Sequence, residues 1–202
     1  ARATARFTQE QRHAILAAAE KMIQNDWRGH GFTIPFATQT NLAAAMLEWF
    51  EFKYYTMTRN TATLKATWNA NDKGQWGVTL KPNMVEVRVI DKGKRGGLEW
   101  DKKLIGKAAE HFAAFWERIG KPTEGRIFPF DEKALNYFLR ECYEKAGVPA
   151  STYAGMTDHI WRHTGAQDLL DATAWNYAVV AATGGWESID VLKHHYGEVP
   201  PN

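Results

Sequence analysis

The chain holds one cysteine, Cys142, which excludes a disulfide framework and a Cys-rich zinc site. It lacks any apolar run approaching the length of a membrane span, and its opening, ARATARFTQEQRH, has no apolar secretory segment. These absences predict a soluble, cytoplasmic protein with no membrane partner. Charge of one sign is also lacking. With 25 basic and 23 acidic residues the net charge is +2, so composition alone does not announce a polyanion as partner. Because Met is absent before Ala1, the natural protein is expected to be longer. No internal repeat or low-complexity segment occurs.

What is present suffices for one domain with a sizeable core: 202 residues, of which 45% are hydrophobic. Thr8 followed by QEQRHAILAAAEKMIQ reads as an N-cap with Gln11 at the capping-box position, opening a helix that ends near Asn25. NDWRGHGFTIPFATQ is expected to be a loop. From about Thr40, NLAAAMLEWFEFKYYTM is apolar on most faces and predicts a buried helix. In TRNTATLKATW, Leu64 and Trp68 return to the core, and Arg59 becomes an anion-binding candidate or a surface residue after the helix.

Between Trp76 and Trp100 the period changes. WGVTL, MVEVRVID and GGLEW are short, β-branched and separated by KPN and KGKRG, so a small three-stranded antiparallel sheet is expected, with Val85, Val87 and Val89 on its packed face. Basic residues gather at Lys92, Lys94, Arg95, Lys102, Lys103 and Lys107. KKLIGKAAEHFAAFWERIG and DEKALNYFLRECYEKAG predict two further helices, with Cys142, His111 and Trp116 in packing roles. Thr157 is expected to cap a helix holding His159 and Arg162. ATAWNYAVVAAT and Glu187 to His195 should form two more.

The stretch from Asp158 to Tyr196 concentrates the chemistry. His159 and Arg162 are three apart and so share a helix face. A base beside a guanidinium fork suits a phosphate better than a carbonyl. Trp186 offers only an N–H donor, and the phenol of Tyr196, with an ordinary pKa of about 10, needs a base or a positive field to become a nucleophile. Lys92, in the turn DKGKRGG, is a flexible point charge able to protonate a leaving oxygen.

Taken in order, Arg59, Lys92, His159, Arg162, Trp186 and Tyr196 resemble the active-site series of the tyrosine recombinases, the phage-integrase family. TMTRNTATLKATW, DKGKRGGLEW, HIWRHT, GGW and HHYG carry the resemblance, which covers nearly the whole chain. It implies an α+β, predominantly helical catalytic fold over residues 1–202, preceded in the full protein by a core-binding domain. It further implies site-specific DNA recombination or integration on a viral or other mobile element. The strand would be cleaved by tyrosine attack, leaving a 3′-phosphotyrosyl link that is religated without cofactor or metal. Arg59 and Arg162 would clamp the phosphate, His159 would act as base and Lys92 as acid. Double-stranded DNA is the implied partner, in the nucleoid of a bacterial or archaeal host, with a homotetramer on DNA and a monomer for the isolated domain.

Three departures accompany the resemblance. Ala62 stands where the family often has an acid three positions after its first Arg. Gly-Trp replaces the commoner Gly-His. Tyr196 lies ten residues after Trp186, with His195 at the usual nine-residue spacing. Three alternatives stay open. A type IB topoisomerase shares the chemistry, a catalytically silent DNA-binding accessory factor would share the fold, and a metal phosphoesterase would use His159, His163, His194 and His195.

Overall fold

The computed structural model describes residues 5–69, 77–91 and 98–197. Lys92, the expected acid, lies outside them, as do Lys94 and Arg95. Helix α1 (Gln9–Ile23) begins at the Thr8–Gln11 capping box, in which each side chain accepts from the other residue's backbone N–H. After it comes a hairpin instead of the expected loop: β1 (Trp27–Gly29) pairs antiparallel with β2 (Phe32–Ile34). Its turn is His30–Gly31, with φ of 53° and 81°, and two successive positive φ values match the right-handed twist of the flanking strands.

Helix α2 (Thr40–Thr56) is the central post. Trp49, Phe50, Phe52, Met46 and even Lys53 are buried, and α1, the later helices Lys107–Arg118 and His159–Ala172 and the strand Leu98–Ile105 pack on it. Full burial of each large apolar side chain contributes about 1.5–3 kcal/mol, so this helix anchors the core. It ends at Met57, whose left-handed φ of 53° reverses the chain. A short helix, α3 (Asn60–Lys65), follows, with Arg59 at its N-cap position and Leu64 and Trp68 buried as expected.

Strands β3 (Val78–Lys81), β4 (Met84–Asp91) and β5 (Leu98–Ile105) form an antiparallel sheet in that order. The alternation predicted for β4 holds, with Val85, Val87 and Val89 buried. Strand β5 runs further than expected. Residues 102–105, read above as the start of a helix, pair with Met84 through Val87, and Lys102 and Leu104 alternate inward against Lys103 and Ile105 outward. Gly106, at φ 60°, then turns the chain into α4 (Lys107–Arg118).

Helix α5 (Glu132–Lys145) is capped by Asp131 and carries the buried Cys142. A single turn, α6 (Ala150–Tyr153), leads to α7 (His159–Ala172). Thr157 does not cap α7, contrary to expectation. It is buried, its hydroxyl accepts from Arg140 Nε at 3.1 Å and its carbonyl accepts from Tyr143, while the N-cap position, Asp158, makes no side-chain cap bond. Helix α8 (Tyr177–Gly184) starts later than the pattern suggested, because Ala174 and Trp175 have positive φ and the Asn176 side chain caps it. Helix α9 (Ile189–Tyr196) closes the fold, capped by Ser188. Among the described residues no helix is long and apolar enough to cross a membrane.

The core divides in two. The larger cluster surrounds α2, with Trp161 edge-on to Phe7, Trp49 and Phe50. The smaller joins Met57, Ala166, Leu170, Val180, Ala181, Trp186, Leu192 and Tyr196. Gly165 lets α7 approach α2, since a Cβ there would lie 2.3 Å from the Tyr54 carbonyl oxygen.

Candidate active site

Helix α7 supplies three of the site's side chains. Arg162 is buried at 2% exposure, and its Nη1 donates to the carbonyls of Met57 at 2.5 Å and Gly184 at 2.8 Å. The left-handed turn at Met57 directs one acceptor, and the end of α8 supplies the other. The guanidinium lies 3.8 Å over the ring of Trp186, a cation–π contact worth about 0.5–2 kcal/mol. Trp186 was expected as an N–H donor, whereas here its ring face is the platform. That geometry depends on two glycines. A Cβ on Gly184 would lie 1.9 Å from the Trp186 ring, and Gly185 holds φ at 76°.

Arg162 Nη2 is buried without a hydrogen-bond partner. A guanidinium fixed on one side and unsatisfied on the other is costly unless an anion completes it. Burial first, and then the charge of Arg59, lower Arg162 to about 10, so it remains charged at neutral pH.

Arg59 faces the same region and is 42% exposed, with Nη1 3.3 Å from the buried carboxylate of Asp91. The acid that Ala62 does not supply therefore comes from the end of β4. Ala62 itself is in the core.

Sequence reasoning gave no part in the phosphate site to four groups, of which Asp91 is the first. Lys102 is buried at 1% exposure and donates from Nζ to the Gly184 carbonyl at 2.9 Å, sharing that acceptor with Arg162. Burial, then repulsion from Arg162, bring Lys102 down to about 7. Lys53 donates to the Thr58 carbonyl and lies 3.8 Å from Asp158, and burial lowers it to about 8. His163 is the fourth. The available signal was the strand period, which puts Lys102 opposite Val87 on the packed face, and the apolar surroundings of Lys53 on α2.

Tyr196, the last residue of α9, is buried at 6% exposure, while His195 is exposed. The ten-residue spacing thus aims the phenol inward, within its own chain. Its hydroxyl is hydrogen-bonded to His163 Nδ1 at 2.6 Å, and its ring stands edge-on to Trp186 at 6.0 Å. Burial raises the phenol's pKa, and Arg162 opposes that rise. The imidazole bonded to the phenol is therefore His163, not His159, the expected base. His159 is half-buried and edge-on to His163, with ring centroids 4.6 Å apart. Both imidazoles are lowered to about 4, chiefly by burial. His159 further feels Arg162, Lys53 and Arg59, and His163 further feels His159, His195 and Arg162. Among the described residues no group of three or more His, Cys, Asp or Glu side chains could hold a metal ion.

The structure thus brings Arg59, His159, Arg162, Trp186 and Tyr196 together, with Lys92 outside the described residues. Four cations, Arg59, Arg162, Lys53 and Lys102, gather around Asp91 and Asp158, an arrangement suited to an anion.

No protein-family profile and no curated protein sequence matches the chain. Solved structures do match its fold, among them two complexes of one recombinase. One is the XerH site-specific recombinase bound to difH substrate, a pre-cleavage complex, with a TM-score of 0.63 and 13% identity, covering 95% of this chain and 49% of that one. The other is XerH bound to palindromic difH substrate, a post-cleavage complex, with a TM-score of 0.63 and 13% identity, covering 94% and 48%. The chain spans about half the length of those XerH chains. Over that span it has the tyrosine-recombinase catalytic-domain fold.

Proposed function

We propose that this chain is the catalytic part of a site-specific DNA recombinase, which cuts a strand of duplex DNA by attack of Tyr196 on a phosphodiester. The observation that carries the reading is a buried phenol, hydrogen-bonded to an imidazole, beside an Arg162 guanidinium with an unsatisfied Nη2. The likeness to XerH, whose solved complexes contain DNA substrate, supports it.

The mechanism follows from the charges. In-line attack builds negative charge on the nonbridging oxygens, and preorganised donors offset it most effectively in a water-poor site. Arg162, held by two carbonyls and the Trp186 ring, places Nη2 for one oxygen, and Arg59, oriented by Asp91, covers another. His159 is neutral near pH 7 and lies in the field of both arginines, so it donates a hydrogen bond to the same phosphate without adding charge. Lys92 gives a proton to the departing 5′ oxygen. The 3′-phosphotyrosyl link retains the energy of the broken ester, so a hydroxyl from a partner strand reverses the step. Strand exchange requires several protomers, and we assign a homotetramer on DNA to the full protein, with a preceding domain completing the clamp on the duplex.

A nicked duplex from which the cut strand's short end diffuses away tests the reading. Denaturing gels should show DNA retained on the parent protein and none on Tyr196→Phe. Absence of any retained DNA from a nicked pool of randomised sequence would remove the proposal.

A further inference from the structure

We propose that His163 is the catalytic base that receives the phenol proton of Tyr196. The inference rests on the cleavage reading above and goes beyond the assignment of His159. Geometry carries it. Nδ1 of His163 lies 2.6 Å from the Tyr196 hydroxyl, within reach for direct transfer, while His159 touches the edge of the His163 ring.

Position explains the division of labour. His159, His163 and Arg162 share α7, but four residues separate the two imidazoles, which places them one turn apart along the same face. His159 lies in the field of Arg162, Lys53 and Arg59, of which the two arginines hold the phosphate. His163 lies toward α9, buried against Tyr196. The phenol needs such a partner. Its burial favours the neutral form, so phenolate does not arise unaided at neutral pH, whereas the imidazole stays unprotonated there and available.

The step balances. Tyr196 Oη forms a bond to phosphorus as the bond from phosphorus to the 5′ oxygen breaks. The phenol proton passes to His163 Nδ1, giving an imidazolium, and the departing oxygen takes its proton from the acid of the site. In religation the imidazolium returns its proton to Tyr196 as the phosphotyrosyl bond breaks. His163 thus alternates between base and acid on the nucleophile's side.

Two measurements test this. In the first, the protein with either tyrosine or a fluorotyrosine at position 196 is mixed with a nicked pool of randomised duplexes, and the rate of covalent retention is followed. His163→Gln should lower the rate by about 10²–10⁴-fold. The more acidic fluorinated phenol should recover at least about tenfold of that loss. A 5′-bridging phosphorothiolate, whose departing sulfur needs no proton, should leave the loss in place. A rate equal to the parent's, or a loss indifferent to fluorination, overturns the proposal.

The second measurement needs no substitution at His163 and no DNA. Nitrogen-15 NMR of the labelled protein near neutral pH should find His163 with an unprotonated Nδ1 accepting a hydrogen bond, perturbed by Tyr196→Phe. A neutral His163 protonated at Nδ1 could not accept the phenol proton and would overturn the assignment. If the parent retains no DNA although Nδ1 accepts from the phenol, the cleavage reading itself has failed, and the base role falls with it.

Discussion

Replacing Lys102 with Met removes a buried ammonium while preserving most of the volume of its stem. Burial and Arg162 bring the group from 10.5 to about 7 in the folded protein. The unfolded chain keeps its proton up to pH near 10.5, so in the interval between the two values it binds more protons than the folded state. Stability of the parent therefore rises with pH from about 7 toward 10.5, and the full penalty applies below pH 7. Linkage puts that penalty at about 4 kcal/mol at pH 7 and about 2 kcal/mol at pH 9. Loss of the charge-assisted hydrogen bond to Gly184 offsets about 1.5–3 kcal/mol of the gain, although Arg162 still serves that carbonyl. The variant should be more stable than the parent by about 1–2.5 kcal/mol at pH 7, and about 2 kcal/mol of relative advantage should vanish by pH 9. Urea unfolding followed by tryptophan fluorescence at both pH values measures it, and Lys53, whose charge helps to depress Lys102, is relieved of that repulsion in the variant. A variant less stable than the parent at pH 7, with the parent's dependence on pH, would show that the buried Lys102 charge carries no such penalty.

Arg162→Lys should lower DNA cleavage by more than about 10²-fold, because a point charge cannot meet two carbonyls, stack on Trp186 and present a further donor together; single-turnover kinetics on a cleavable duplex measure it. In acid, His159 and His163 must charge against their surroundings. Their folded values of about 4 lie below the ordinary 6.5, so stability is full above about pH 6.5 and falls as pH drops toward 4. Each imidazole should cost about 1–2 kcal/mol between pH 7 and pH 5, and His163→Gln should flatten that slope in urea titrations. Helix α9 buries only Leu192 and Tyr196, so Leu192→Ala should raise amide hydrogen exchange in α9, lowering its local opening energy by about 2–3 kcal/mol while leaving α2 protected.

The Thr8 capping box, the apolar α2 and the alternating valines of β4 were readable because each depends on local spacing. The order of Arg59, His159, Arg162, Trp186 and Tyr196 could likewise be read, although not which imidazole meets the phenol. That contact depends on how far α9 turns when it docks, which the ten-residue spacing leaves open. Asp91 escaped notice as the partner of Arg59 because the pair joins a strand end to a helix start 32 residues away. Lys102 was hidden for another reason. KKLI reads as a polar helix start until the register with β4 fixes which lysine points inward. The hairpin at His30–Gly31 was obscured because strands of three residues carry too little alternation to be seen.

Whether Tyr196 joins itself to DNA is decided by the identity of the linked residue. Retained protein–DNA product, digested with protease and nuclease, is read by mass spectrometry. A single modified peptide containing Tyr196, bearing a nucleotide through its 3′ phosphate, is expected. A nucleotide on any other residue, or one attached through a 5′ phosphate, would contradict it.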